Sequence, residues 1–202
     1  MLNKFAIILF SVCVLLSGAI YANEDADMPS VKERVSDSSL CLAAAKQAGA
    51  DYGVSFDLLQ TIAAVESGVW NEFHNAYVAW PWTVNAKGRG YYFKTKEEAI
   101  AAAKKFIGSG VTSIDVGCMQ VNMKFHGKEF SSLEDAMDPQ NNVRYSAKFL
   151  RTLYSRNGNN WKRAAESYHS GNSAEGAIYA SRLEKRFETY KVAGLSIGNT
   201  LF

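Results

Sequence analysis

The chain is 202 residues long, 48% hydrophobic and 21% charged, a composition that suits one globular domain with a substantial core and excludes a disordered or fibrous polymer. Its 22 basic and 20 acidic side chains nearly cancel, so no strong electrostatic field is available to gather nucleic acid or an anionic membrane surface.

The first 22 residues stand apart from the rest. Lys4 is their only charge, Phe5 to Leu16 is an apolar run, and the segment closes on small or neutral residues ending at Ala22. This pattern describes a secretory signal peptide cleaved after Ala22. The apolar run falls short of the ~20 residues a spanning helix needs, and Cys13 lies inside it rather than at a lipid-attachment position. Residues 23–38 are polar, acidic at first and without periodicity, so they read as a flexible leader, with the fold beginning near Ser38. Export leaves Cys41 and Cys118 in a compartment that permits disulfides, and this even pair is expected to bridge; two buried free thiols are the alternative.

Leu40, Ala44, Ala45 and Ala48 recur at helical spacing after two serines, and Gly53 separates this helix from the next. Ser55 to Gly68 is the most informative stretch. Ser55 suits an N-cap, Asp57 sits in the first turn where a negative charge complements the helix dipole, and Ser67 and Gly68 mark the end. Leu59, Ile62 and Ala63 form an apolar stripe, and Glu66 falls seven, four and three residues beyond them on the same face. Its carboxyl group therefore points to the interior or to a cleft, where desolvation favours the protonated form and suits a general acid. A helix-end glutamate bonded to backbone is the plainer alternative.

Trp70, Phe73, Tyr77, Trp80 and Trp82 then crowd into a loop-like stretch around Pro81. The runs WTVN and YYF flank a glycine-containing turn at 86–90 and predict a small hairpin. Exposed aromatics close to a candidate acid would suit sugar rings, whose apolar faces stack on such side chains; the plainer alternative is that Trp80, Trp82 and Phe93 fill a satellite core. Thr95 to Glu98 is a capping box before a helix carrying Ile100, Ala103, Phe106 and Ile107, and Ser131 to Glu134 is a second box. Asp138-Pro139 opens a long helix through Val143, Ala147, Leu150 and Tyr154. Asn160 caps the next helix and Ser173 a final one, whose apolar positions are Ile178, Leu183, Phe187 and Tyr190. With strands confined to the hairpin, the class is mainly α with a small β excursion.

Several ordered elements, AVES, PWTVN, GCMQVN, DPQNNVRYSAKFL and SYHSG, together resemble the soluble lytic transglycosylase (SLT) domain family of the lysozyme-like superfamily. The resemblance divides the chain into the signal peptide (1–22), the leader (23–38), a lysozyme-like transglycosylase domain (39–192) and a C-terminal tail (193–202). It implies that Glu66 is the sole catalytic acid/base and that Ser67 follows it as the usual small polar residue. Gly117, Met119 and Gln120 align with the family's Gly-Leu-Met-Gln signature, whose backbone and glutamine line the sugar cleft. Cys118 replaces the usual leucine, which fits a disulfide variant of the loop. Tyr168 aligns with a cleft tyrosine, His169 stands where asparagine is usual, and Tyr179 aligns with a later cleft tyrosine. The implied substrate is the peptidoglycan glycan strand. The implied reaction uses the glutamate first as acid and then as base towards the muramic acid's own 6-hydroxyl, closing a 1,6-anhydro ring.

Two further carboxylates bear on that reaction. Asp115, just ahead of Gly117, could supply the second carboxylate of a hydrolytic muramidase or simply cap its loop, and Glu72 is a weaker candidate. His74, His126 and His169 show no metal-binding spacing, so no metal and no cofactor is expected, and His126 reads as a surface or loop residue. A non-catalytic glycan-binding protein or a component of an envelope-spanning secretion machine is the alternative function, since such machines also use this domain. Retention of Glu66, Gln120 and Tyr168 favours the enzyme.

Overall fold

A computed structural model describes residues 31–202, with side chains from Asp37 onward. The expected signal peptide, its cleavage site at Ala22 and the leader up to residue 30 lie outside the described residues. No helix among the described residues is long and apolar enough to cross a membrane.

Helix α1 spans Val31–Tyr52 and so begins ahead of the start expected near Ser38. Residues 31–37 carry no apolar repeat. Tertiary contacts hold the end of this stretch: the Trp82 indole N–H donates to Asp37 Oδ2 at 2.7 Å, and Ser38 is buried. Helix α2, Phe56–Glu66, has the expected limits. Ser55 Oγ accepts from Leu58 N–H at 3.1 Å, and the Ser67 N–H closes the last turn on Ala63 O.

Asp57 does more than complement a dipole. It is buried and accepts from the Ile197 and Gly198 N–H groups at 3.1 and 2.6 Å and from Gln60 Nε2 at 2.8 Å. The segment 193–202, expected as a tail outside the domain, is thereby docked on α2, with Leu201 buried in the core. A buried carboxylate needs such donors, and the chain end supplies them.

The aromatic stretch expected as a loop is instead a hairpin of β1, Gly68–Asn71, and β2, Ala76–Ala79, with Trp70 opposite Tyr77. The expected hairpin follows as β3, Thr83–Ala86, and β4, Arg89–Tyr92. It is widened by β5, Ile114–Val116, paired with β3, and β6, Val121–Asn122, paired with β5, giving an antiparallel sheet in the order β4-β3-β5-β6. Strands are therefore not confined to one hairpin. At three and two residues, β5 and β6 are too short to show alternation, and their pairing partners rather than their own sequence make them strands.

The other helices are α3, Lys96–Gly108; α4, Met123–His126; α5, Leu133–Ala136; α6, Pro139–Arg156; α7, Trp161–His169; and α8, Ser173–Val192. Thr95, Asp138 and Asn160 cap α3, α6 and α7 as the sequence predicts. Two caps shift by one residue: Ser132 with Asp135 opens α5, and Asn172 rather than Ser173 opens α8.

The core has two main parts. Leu58, Leu59, Ile62, Leu150, Leu183 and Phe187 join α2, α6 and α8 in the helical half, while Trp80, Trp82, Val84, Ala99, Ile114 and Met137 fill the half beneath the four-stranded sheet. Trp80 and Trp82 thus belong to the satellite core. The buried stripe of α8 is Tyr179, Leu183, Phe187 and Tyr190; Ile178 faces solvent, one position off the expected stripe.

Candidate active site

Between the two halves lies a cleft of about 380 Å³. One wall is helical: Glu66 from the end of α2, Tyr145 and Phe149 from α6, Tyr168 and His169 from α7. The other is built on the sheet: Asn85 from β3, Asp115 from β5 and Asn122 from β6, with Gln120 in the connecting loop.

Glu66 reaches this place because its helix buries Leu59, Ile62 and Ala63 and so turns the next residue of that face inward at the mouth of the cleft. Its side chain is only 18% exposed. The Tyr179 hydroxyl donates to Glu66 Oε1 at 2.6 Å, and His169 Nδ1 stands 4.0 Å from the same oxygen. Burial raises the Glu66 pKa from 4.5 to about 7. The hydrogen bond from Tyr179 opposes this rise, the Asp115 charge adds to it, and the Arg182 charge opposes it. The carboxyl group can thus hold a proton near neutral pH and release it to a bound oxygen.

Asp115 sits in strand β5, not in a turn, and caps no backbone. Asn122 Nδ2 donates to its Oδ1 at 2.7 Å. Burial raises its pKa and this hydrogen bond lowers it. Glu72 lies in the β1–β2 turn, where its carbonyl accepts from Asn75 N–H, and does not line the cleft.

The residues of the signature loop divide by role. Gln120 lines the cleft, and its Nε2 donates to Gly117 O at 3.0 Å and Thr83 O at 3.2 Å, fixing the side chain across the loop. Ser67, Gly117 and Met119, expected at the substrate, sit behind the cleft surface and do not line it. Ser67 is buried, donating to Cys118 O at 2.8 Å and accepting from Trp80 N–H at 3.2 Å. Gly117 has φ +79°, and a Cβ there would lie 2.5 Å from Asn142 Nδ2, so glycine is required both for conformation and for space. The Met119 side chain is core, while its N–H donates to Asn142 Oδ1 at 2.9 Å and its carbonyl accepts from the Tyr168 hydroxyl at 2.8 Å.

Cys41 and Cys118 form a disulfide that ties α1 to this loop. Asn142, wholly buried on α6, completes the anchorage through Nδ2, which donates to Val116 O and Ala136 O at 2.9 Å each. In the sequence it shows only as a polar residue beside Val143, within the run DPQNNVRYSAKFL.

The sequence alone did not single out Asn85, Asn122, Phe125, Tyr145 and Phe149 as site residues, and it read His126 as a surface or loop residue. In the fold His126 lines the cleft, with Nδ1 2.7 Å from the Tyr145 hydroxyl and its ring 5.0 Å from Phe149. Phe149 in turn lies 5.9 Å from Tyr168. These rings come from α4, α6 and α7, so no local spacing could join them. Among the described residues no three His, Cys, Asp or Glu side chains are grouped so as to hold a metal ion.

A mainly α scaffold with a small antiparallel sheet, and between them an open cleft with a buried carboxyl group at its edge, defines the lysozyme-like class. Within it, the family described as Transglycosylase SLT domain matches residues 43–190, and the chain belongs to that family. The family's activity is lytic transglycosylation of peptidoglycan. No curated protein and no solved structure matches the chain.

Proposed function

We propose that this protein is a peptidoglycan lytic transglycosylase that cleaves the β-1,4 bond between N-acetylmuramic acid and N-acetylglucosamine, with Glu66 as its one acid/base. The observation that carries this reading is the state of Glu66: able to hold a proton near neutral pH through burial, hydrogen-bonded by Tyr179, and open to a cleft of about 380 Å³. Glu66 gives its proton to the glycosidic oxygen as the bond to the muramic anomeric carbon breaks. The resulting carboxylate then takes the proton of that sugar's 6-hydroxyl while the 6-oxygen closes on the anomeric carbon. The 1,6-anhydro ring forms and Glu66 is restored. An intramolecular nucleophile has a high effective concentration, so no water need be held in place.

Around that step, the rings of Phe125, Phe149 and Tyr168 offer faces for stacking on pyranose rings, and Asn85, Gln120 and Asn122 offer amides to hydroxyl and N-acetyl groups. The site acts on the cell wall after export through cleavage near Ala22, either in wall turnover or in opening the wall for an envelope-spanning machine.

A hydrolytic reading has one observation in its favour, a second carboxylate, Asp115, in the same cleft. Mass spectrometry of muropeptides released from isolated sacculi separates the two. The transglycosylase product is one water lighter than the hydrolysed one and resists borohydride reduction. Heavier, reducible fragments would replace our reading with hydrolysis, and sacculi that retain the protein without release of fragments would replace it with binding.

A further inference from the structure

We infer that His169 is a positioning residue for Glu66: its ring clamps Tyr179 and limits the access of water to the carboxyl group, and a proton taken up by the ring makes Glu66 a weaker base. This rests on the proposed role of Glu66. It also concerns a position where the chain departs from the asparagine that its motif leads one to expect.

The geometry is closed on itself. His169 and Tyr179 stack with ring centroids 4.3 Å apart and planes inclined by only 2°. The Tyr179 hydroxyl donates to Glu66 Oε1 at 2.6 Å, and His169 Nδ1 lies 4.0 Å from that oxygen. The flat stack therefore fixes the plane of the phenol that orients the carboxyl group, and the imidazole, itself on the cleft surface, stands beside Oε1. An asparagine there would have no ring to stack on Tyr179. The His169 side chain is 39% exposed, so one edge remains open to substrate and solvent.

The charged and titratable groups around the pair come from four elements. On α8 they are Tyr179, Arg182 and Glu175; on β5, Asp115; on α2, Glu66 itself; and on α7, Tyr168 beside His169. Burial lowers the His169 pKa, the Arg182 charge lowers it further, and Glu175 raises it. Burial holds the Glu66 pKa up at about 7, so a single proton shared by the pair resides on the carboxyl group and the imidazole is neutral. A second proton, added at lower pH, places a cation 4.0 Å from Oε1 and makes Glu66 a weaker base for the ring-closing step.

The test is a carboxyl-carbon NMR titration of Glu66 in the mature chain, its signal assigned by its loss in Glu66→Gln. In the wild type we expect a midpoint near 7 and a smaller inflection below 6.5, where the imidazole titrates. His169→Ala should lower the midpoint by about one unit and remove the inflection. His169→Phe, which keeps the stack but cannot take a proton, should leave the midpoint within about 0.3 unit and still remove the inflection. A midpoint unmoved by His169→Ala, or moved as far by His169→Phe, would overturn the inference, as would a wild-type curve with one inflection. The pH profile of sacculus cleavage separates this from the parent reading. If the titration shifts as expected but the alkaline limb of activity does not follow it, the positioning role stands and the catalytic role of Glu66 falls.

Discussion

The two walls of the cleft each present a carboxylate, yet they treat it differently. On the helical wall Glu66 is nearly enclosed, with one phenol donor, and burial outweighs every other influence on it. On the sheet wall Asp115 is paired with the Asn122 amide, which offsets part of its burial. The first environment makes a proton donor. The second holds a charge whose field raises the Glu66 pKa further. Each carboxylate has one side-chain donor, so the degree of enclosure, not mere presence in the cleft, decides which can serve as an acid.

The sharpest break of this contrast is Glu66→Gln, which keeps the shape of the helical wall and removes its proton. We expect folded protein with cleavage of sacculi reduced by roughly two or more powers of ten. Near-wild-type turnover would move the chemistry elsewhere.

Next in size is the seam between the walls. Reducing or replacing the Cys41–Cys118 bridge, which spans a sequence separation of 77, should cost about 2 to 5 kcal/mol in chemical denaturation and free the loop carrying Gln120. Peptide mapping that found both thiols free in the oxidised protein would contradict the bridge.

The enclosure of Glu66 also has a stability signature. Its folded-state pKa lies above the ordinary 4.5, so the folded protein binds this proton more tightly than the unfolded chain does. That contribution is complete below 4.5 and is lost as the pH rises to about 7, a change of about 3 kcal/mol. Denaturation at about pH 5 and about pH 8 should show this loss in the wild type and not in Glu66→Gln. Equal pH dependence in both proteins would mean that Glu66 is better hydrated than the fold indicates.

Tyr179→Phe removes the one side-chain donor that the described residues give the Glu66 carboxylate. Because that bond favours the charged form, the Glu66 midpoint should rise, carrying the alkaline limb of activity with it, at a stability cost of about 1 to 3 kcal/mol. A downward shift would show that the phenol serves the protonated form instead.

The smallest effect belongs to the sheet wall. Asp115→Asn removes the like charge and should lower the Glu66 midpoint, changing the rate at neutral pH by no more than about fivefold. If it abolishes cleavage, and the wild-type fragments are reducible, Asp115 is a partner in hydrolysis.

Much of the helical wall was legible because its signals are local. A capped helix with a regular apolar stripe aims Glu66 inward whatever the remaining chain does, and Asp138-Pro139 and Asn160 start their helices for reasons contained within a turn or two. The sheet wall was legible only in part: the β3–β4 hairpin, Gln120 and the candidate Asp115 were expected, whereas β5 and β6 exist only through their partners and Asp115 faces the cleft only because β5 pairs with β3.

By itself the sequence determined the mainly α class and the inward carboxylate of Glu66, which follow from spacing along the chain; the cysteine pair followed from its even count after export, and the family from the resemblance of its motifs. Tertiary structure alone decided that Tyr179, which the resemblance placed in the cleft, lies buried behind its surface with its hydroxyl on Glu66 while Ile178 faces solvent, and that Met119 is core while His126 lines the cleft. It also decided that residues 197 and 198 satisfy the buried Asp57. The physical reason is one of range: a helix period fixes the face of a residue to within one position, whereas desolvation, stacking and hydrogen-bond partners depend on which faces meet.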